Sequence, residues 1–485
     1  MTSDRTLNVA ASLVLMLGAS LQVALLTPGH NWGGDFSAYI MQAISIVEGT
    51  TPEFVARNQF AMENSYTPAG PVTYPWGFPL LLAPVYAVFQ LDLLAFKLLE
   101  AVIYQVFLVV LWFGLAGRLS RRERFFILAI FAFNPFLLRF ANHILSDIPF
   151  LLFSTLALVL IDRVMLSPIR VMPLRDGAVI GLAIAAAFLM RSNGALLILV
   201  FLLACILAGR QWRLLTAGLA SYLSICVLIM IWLPDVQSSY MSQTNGISIE
   251  SIADNVAYYA LLMRDFFAPT STHRWLGAFV FIVTLPVFAC GLFNDWRRSP
   301  ALWVYSALTL GLFVVWPFQQ GLRFLFPILP VYVYYCLVGL RMVSPSISSI
   351  LPNVSVYLPA ALVLLFLLSS ASLAARNLLN GRPIMDGPYT STALDMFNYL
   401  IDETGHADLI IFRKPRVMRM MTDRDSIALN DSTDWRSACY WVLDRRNLAD
   451  VGYFDAFAAG IESGELLLAY NNEQFYVYRR KKCHS

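Results

Sequence analysis

The chain is 485 residues long, 58% hydrophobic and only 13% charged, whereas soluble domains carry about 25% charged residues. Mean hydropathy is +0.64 and the apolar residues come in long blocks, which argues against a soluble enzyme or a disordered chain. A net charge of +3 leaves no basic stripe able to follow a phosphate backbone, so no nucleic-acid partner is expected. The composition is that of a multi-pass membrane protein.

A membrane-crossing helix needs about 20 predominantly apolar residues. The first block, 7–27, follows a short polar start at Asp4 and Arg5 and lacks a small-x-small cleavage site. It reads as a retained anchor. Further blocks lie near 93–116, 125–142, 148–166, 177–190, 194–208, 214–233, 276–293, 301–317, 324–341 and 353–373, which makes eleven. Lys and Arg concentrate in cytoplasmic loops. With the N-terminus inside, 13 of the 20 such residues before position 373 fall on the cytoplasmic side, led by RLSRRER at 118–124. The C-terminus then falls outside. The apolar run 78–89 is too short to cross and reads as a helix lying on or dipping into the outer leaflet.

The predicted fold class is therefore a polytopic α-helical membrane protein with about eleven transmembrane helices, N-in and C-out. A membrane domain spans 1–373, with outer loops at about 28–92 and 234–275. A tail at 374–485 alternates a helix-like run (TSTALDMFNYLIDE), a strand (ADLIIF), a helix starting at Pro415, and strands near IAL, YWVLD, ELLLAY and QFYVYRR. That spacing predicts a small extramembrane α/β domain. Cys205, Cys226, Cys290 and Cys336 lie in spans, where Cys is usually a small buried apolar residue. Cys439 and Cys483 lie in the tail, where a disulfide and two free thiols both stay open.

Several outer-face residues break the positive-inside pattern. Arg139, Arg191 and Arg323 sit at outer span ends, in LLRFANHILSD, FLMRSNG and QQGLRFLFP. An Arg at a span centre costs about 2.5–3.5 kcal/mol and less near the interface. Three of them there point either to an anion held at the outer leaflet, since a guanidinium fork suits phosphate, or to snorkelling and internal ion pairs. Asp35 follows the first span in NWGGDFSAYIMQAISIVEG, and Asp35, Tyr39 and Gln42 fall on one helical face. Asp35 is a candidate general base or a plain cap of a surface helix. In NHILSDIPF, His143 and Asp147 are four residues apart. They offer a metal or proton-relay pair, or a helix start at Ser146-Asp147 with Pro149 just inside it.

These motifs, in this order, resemble those of the GT-C superfamily of polytopic glycosyltransferases, which includes protein O-mannosyltransferases and the aminoarabinose transferases of lipid A. GGDFSAYIMQAISIVEG resembles the first-loop element. TYPWGFPLLLAPVYAVF resembles the membrane-dipping Tyr-Pro segment, and FNPFLLRFANHILSDIPFLLF the second-loop element. RSNG and LRFLFPILP resemble later landmarks. Where many protein mannosyltransferases carry Glu after the first-loop Asp, this chain has Phe36, a departure from that branch.

The resemblance implies an inverting transferase that moves a sugar from a polyprenyl phosphate carrier to a lipid, glycan or protein acceptor. The active site would face the periplasm of a bacterial inner membrane, with membrane lipid around it. Asp35 would be the catalytic base. Arg191 and Arg323, with Arg139, would bind the carrier phosphate, and Tyr39, Tyr74, His143 and Asp147 would support or contact substrate. Family members differ in their need for a divalent metal ion, whose ligands here would come from Asp35, His143 and Asp147. Two rivals remain from the sequence: a polysaccharide polymerase or ligase using polyprenyl diphosphate glycans, and a non-enzymatic lipid flippase or transporter. The second would show inverted repeats and midplane charges, and neither is visible.

Overall fold

The computed structural model describes residues 4–65, 70–166, 173–209, 211–234, 247–347, 349, 352–429, 435–447, 454–481 and 483. The chain forms two compact units. One takes in Met1–Leu26, Phe96–Trp232 and Met241–Gly381; the other takes in Thr27–Ala95, Leu233–Tyr240 and Arg382–Ser485.

The first unit is helical. Among the described residues, seven helices of the chain are long and apolar enough to cross a membrane: Arg5–Leu25, Leu93–Gly114, Asp147–Leu166, Trp212–Trp232, Ser271–Asp295, Leu322–Ser346 and Val354–Leu379. The chain is a multi-pass membrane protein. The other four predicted spans correspond to shorter helices. Residues 177–190 lie in Leu174–Met190, 194–208 in Ser192–Leu207, and 301–317 in Pro300–Val315. The block 125–142 is two helices, Arg121–Phe133 and Pro135–Phe140.

The cause of that break is local. Pro135 has no N–H for the upstream helix, while Asn134 Oδ1 accepts from the Phe136 and Leu137 N–H groups at 3.0 Å each and starts a new helix. Its Nδ2 donates to Phe266 O at 2.8 Å, which ties the break to a third segment. Leu174–Met190 and Trp212–Trp232 approach closely through small residues. A Cβ on Gly181 would collide with the Gly218 carbonyl, and one on Gly177 with that of Leu214. This is the small-residue packing expected where lipid removes any hydrophobic drive between helices. Near RLSRRER, Arg118 holds Asp162 in a bidentate pair (Nε to Oδ2 2.7 Å, Nη2 to Oδ1 2.8 Å). Both side chains are buried.

The 234–275 loop offered no readable pattern. Its residues 235–246 lie outside the described residues, but Ile249–Phe267 is a 19-residue helix. Ser248 caps it, with reciprocal bonds between Ser248 and Ser251 at 2.9 and 3.0 Å.

The second unit joins the 28–92 loop to the tail. Three helices, Gly34–Glu48, Thr51–Glu63 and Gly77–Phe89, come from the loop. At 13 residues and about 1.5 Å per residue, Gly77–Phe89 is roughly 20 Å long. That is short of a bilayer core, as its sequence implies. In the tail, β1 (Ile410–Ile411), β2 (Ser426–Ile427), β3 (Tyr440–Asp444), β4 (Leu466–Asn471) and β5 (Phe475–Arg480) form a sheet in the order β2-β1-β3-β5-β4. β1 pairs parallel with β2 and β3, while β5 pairs antiparallel with β3 and β4. Ile411, Ile427, Leu429, Ala438, Trp441 and Leu466 pack as its core. The predicted helices appear as Ser391–Glu403 and Pro415–Thr422, and a further one, Phe454–Glu462, precedes β4. Cys439 and Cys483 are joined as a disulfide with Cα atoms 5.4 Å apart.

Loop and tail are clasped by charge and rings. Arg57 donates from Nε to Asp425 at 2.8 Å and from Nη1 to Asp423 at 2.7 Å. The Arg419 guanidinium lies 5.1 Å from the Phe54 ring centroid. Trp32 meets Phe412 and Phe475 edge-on at 5.8 and 5.9 Å, with Arg413 over it at 5.5 Å.

Removing one partner of a buried ion pair strands the other charge. Asp162→Ala should therefore cost about 3–5 kcal/mol, read as a lowered melting temperature of the purified protein in detergent. A parent-like melt would mean that Arg118 finds a replacement partner.

Candidate active site

The second unit carries one group of candidate residues on the Gly34–Glu48 helix. Gly33 is the N-cap and makes no side-chain cap bond, which places Asp35 in the first turn rather than at the cap. The helix is no surface element either. Phe36, Ser37, Ala38, Tyr39, Ile40, Met41, Gln42 and Ala43 are all buried, because Gly77–Phe89 and the tail helix Pro415–Thr422 pack on it. The face shared by Asp35, Tyr39 and Gln42 is turned to a single residue, Tyr74.

Each of the three grips a different part of Tyr74. Gln42 Nε2 donates to the Tyr74 carbonyl and its Oε1 accepts from the Tyr74 N–H, both at 3.0 Å. The Tyr39 ring packs against the Tyr74 ring with centroids 4.6 Å apart and meets Phe78 edge-on at 5.0 Å. The Tyr74 hydroxyl donates to Asp35 Oδ1 at 2.7 Å. Burial, followed by the neighbouring Asp35 carboxylate, pushes the Tyr74 hydroxyl well above its ordinary pKa. It stays a neutral donor at any working pH. Asp35 is only partly buried, so Tyr74 anchors its carboxylate without sealing the residue from solvent. That is the requirement for a base that must meet a substrate hydroxyl.

The first unit carries the second group. Asp147 opens the Asp147–Leu166 helix and is 2% exposed. Arg191 Nη1 donates to its Oδ1 at 2.5 Å, and Arg323 Nη1 lies 4.0 Å from Oδ2. Arg191 and Arg323 also lie 4.8 and 5.8 Å from the centroid of the Phe324 ring. Two of the three arginines singled out by sequence thus converge on one carboxylate. Arg139 takes another position: its Nε donates to Pro135 O at 3.2 Å within its own short helix.

Of the two sequence readings of NHILSDIPF, the structure takes the helix start. The helix starts at Asp147, so His143 lies on the preceding turn and cannot stack one helical turn below Asp147. It instead packs on Phe140, ring centroids 5.6 Å apart. Burial, with repulsion from Lys97, Arg139 and Arg323, holds the His143 imidazole down at about 4. Among the described residues no three His, Cys, Asp or Glu side chains are grouped to hold a metal ion. Asp147, the best placed ligand, already takes the Arg191 guanidinium. The residues do not fit a ready metal site, and the chemistry below is written for side chains alone.

Three residues of this first-unit site take no role from the sequence alone. Lys97 and Glu100 are fully buried on the Leu93–Gly114 helix. Glu100 Oε1 accepts from the Leu145 N–H at 3.1 Å, beside Asp147. Two ionisable residues one turn apart inside an apolar helix are the signal that could have found them. Tyr259, on the helix Ile249–Phe267, feels the charges of Arg191 and Arg323, while burial pushes it up to about 12. Its neighbour Tyr258 accepts at its hydroxyl from the Gly321 N–H at 3.0 Å. No sequence motif marks either tyrosine.

No protein family and no curated relative matches the sequence, but solved structures do. ArnT from Cupriavidus metallidurans, bound to undecaprenyl phosphate, aligns at a TM-score of 0.61 and 10% identity, covering 97% of this chain and 98% of that one. The Archaeoglobus fulgidus oligosaccharyltransferase AglB, with an inhibitory peptide and dolichol-phosphate, aligns at 0.54 and 12%, covering 90% and 69%. The same organism's enzyme complexed with Zn and sulfate aligns at 0.55 and 11%, covering 96% and 73%. The chain has the GT-C glycosyltransferase fold. At these identities the likeness is one of architecture, and the roles of individual residues in this chain rest on its own geometry.

His143 gives a pH test. Its pKa is lower folded than the ordinary 6.5, so the unfolded chain binds the extra proton first. Stability should fall as pH drops from about 6.5 towards 4, and His143→Gln should flatten that part of a melting-temperature-against-pH curve. An unchanged slope would mean that other groups carry the acid sensitivity.

Proposed function

We propose that this chain is an inverting membrane glycosyltransferase that takes a sugar from a polyprenyl phosphate carrier and gives it to an acceptor hydroxyl at the outer, periplasmic face of a bacterial inner membrane. The observation that carries the reading is the partly exposed Asp35 carboxylate, held by Tyr74, within a fold also found in ArnT and AglB. ArnT was solved with undecaprenyl phosphate and AglB with dolichol-phosphate, which supports a phosphate-linked polyprenol as the donor here.

Asp35 takes the proton of the acceptor hydroxyl. The acceptor oxygen forms its bond to the anomeric carbon while the bond from that carbon to the phosphate oxygen breaks, and the electron pair leaves with the polyprenyl phosphate. The leaving group gains charge as the bond breaks, so preorganised cations there favour the transition state over the ground state. Arg191 and Arg323 are assigned this role. Each guanidinium offers five N–H donors; Asp147 takes one from Arg191, and Gln320 holds Arg323 through Nε and Nη2. Tyr259, a neutral phenol near both, adds a donor. Arg139 and His143 are assigned supporting roles beside them.

Two measurements follow. With a labelled panel of polyprenyl phosphate hexoses and pentoses, Asp35→Asn should lower transfer by about 10²–10⁴-fold while melting like the parent; parent-like transfer would remove Asp35 as the base. Polyprenyl phosphate should raise the melting temperature of the parent through binding to the folded state. In Arg191→Ala and Arg323→Ala that rise should shrink, whatever the starting temperature of each variant. An undiminished rise in both would overturn the phosphate assignment.

A further inference from the structure

The tail reaches the tyrosine that holds Asp35. We propose that Arg416, on the tail helix Pro415–Thr422, is a positioning residue for Asp35 that acts through the Tyr74 hydroxyl. The inference rests on the reading of Asp35 as the base.

Arg416 is 5% exposed, and burying a guanidinium is costly unless its donors are matched; both terminal nitrogens have acceptors, while Nε has none among the described residues. Nη2 donates to the Pro71 carbonyl and lies 3.5 Å from Met62 Sδ. Nη1 donates to the Tyr74 hydroxyl oxygen at 3.3 Å, and the guanidinium carbon stands 5.3 Å from the centroid of the same ring. The seat exists because residue 70 is glycine. Its φ is +95°, and a Cβ there would lie 2.9 Å from Nη1. Arg416 is therefore fixed against the segment that carries Tyr74.

The consequence lies in the hydroxyl. A phenol has one proton to give and an oxygen that accepts. With Arg416 donating into that oxygen, the Tyr74 proton is directed away from the guanidinium, and its partner is Asp35 Oδ1 at 2.7 Å. Arg416 to Tyr74 to Asp35 is then a chain of donors running one way, in which each bond polarises the next. Without the cation the hydroxyl loses that bias, and the carboxylate its fixed orientation. The tail thus sets the geometry of a base borne by the first loop. KPRVMRMMT, read in the sequence only as a helix start, holds the residue that does it.

The test uses the full-length protein and whichever labelled polyprenyl phosphate sugar the parent turns over. Arg416→Gln should lower kcat by about ten- to a hundred-fold, the scale of a misplaced catalytic group, with donor KM held within about two-fold. Arg416→Lys should recover part of the loss. In a Tyr74→Phe background the Arg416→Gln loss should largely disappear, since the link through the hydroxyl is already cut. Parent-like kcat in Arg416→Gln, a loss confined to KM, or the same loss in the Tyr74→Phe background would each overturn the inference. If Arg416→Gln fails to fold, Tyr74→Phe alone decides: a lowered kcat at constant KM upholds the chain, and parent-like kcat breaks it. Asp35→Asn separates the two claims. Parent-like turnover there refutes the base itself; an inactive Asp35→Asn beside a fully active Arg416→Gln refutes only the positioning role.

Discussion

The candidate site depends on how one tyrosine is held. Gln42 pairs with both backbone polar groups of Tyr74 at 3.0 Å, a match that an amide can make with a chain segment lacking a helix or strand partner. Once the backbone is fixed, the Tyr39 ring sets the plane of Tyr74 and the hydroxyl is delivered to Asp35. A carboxylate on the first turn of a helix would otherwise swing freely or turn to the N-terminal N–H groups. The Tyr74 bond competes with that and fixes one carboxylate oxygen of Asp35 instead. The helix, the 74–78 segment and the tail helix are all needed to bring this about.

The first unit solves a different problem, that of keeping cations in an apolar bundle. Arg118 is paired with Asp162, and Arg191 with Asp147. The chemistry is the same in both, but their settings differ. Arg118 and Asp162 are both nearly inaccessible and form a closed bidentate pair, the mark of a structural contact. Arg191 and Arg323 remain about one-fifth exposed, share an aromatic ring, and have Tyr259 and Glu100 nearby. A partly open pair of guanidiniums held by one carboxylate is suited to taking up an anion. A closed pair is not.

Much of this was legible in the sequence. Seven of the eleven predicted spans, the short length of Gly77–Phe89 and the alternation of the tail follow from hydrophobic periodicity, a local property. The face of Asp35, Tyr39 and Gln42 follows from helical spacing alone, and the structure gives that face a common target. What could not be read were the long-range contacts. Arg57 meets Asp423 and Asp425, and Arg416 meets Tyr74, across more than 340 positions, and nothing local in either segment announces its partner. For His143 and Asp147 the sequence left a paired site open beside a plain helix start, and the helix start is what forms, so a separation of four residues is not one turn there. Tyr259 took no role because an isolated buried tyrosine looks like core.

The account requires a single displacement at the anomeric carbon, with Asp35 acting on the acceptor and never bonded to the sugar. The most direct test is the configuration of the product. With methanol as a minimal acceptor and a labelled polyprenyl phosphate sugar as donor, the methyl glycoside formed by the parent should have the opposite anomeric configuration to the donor by NMR. Retention of configuration would require a covalent sugar–enzyme intermediate and would contradict the account.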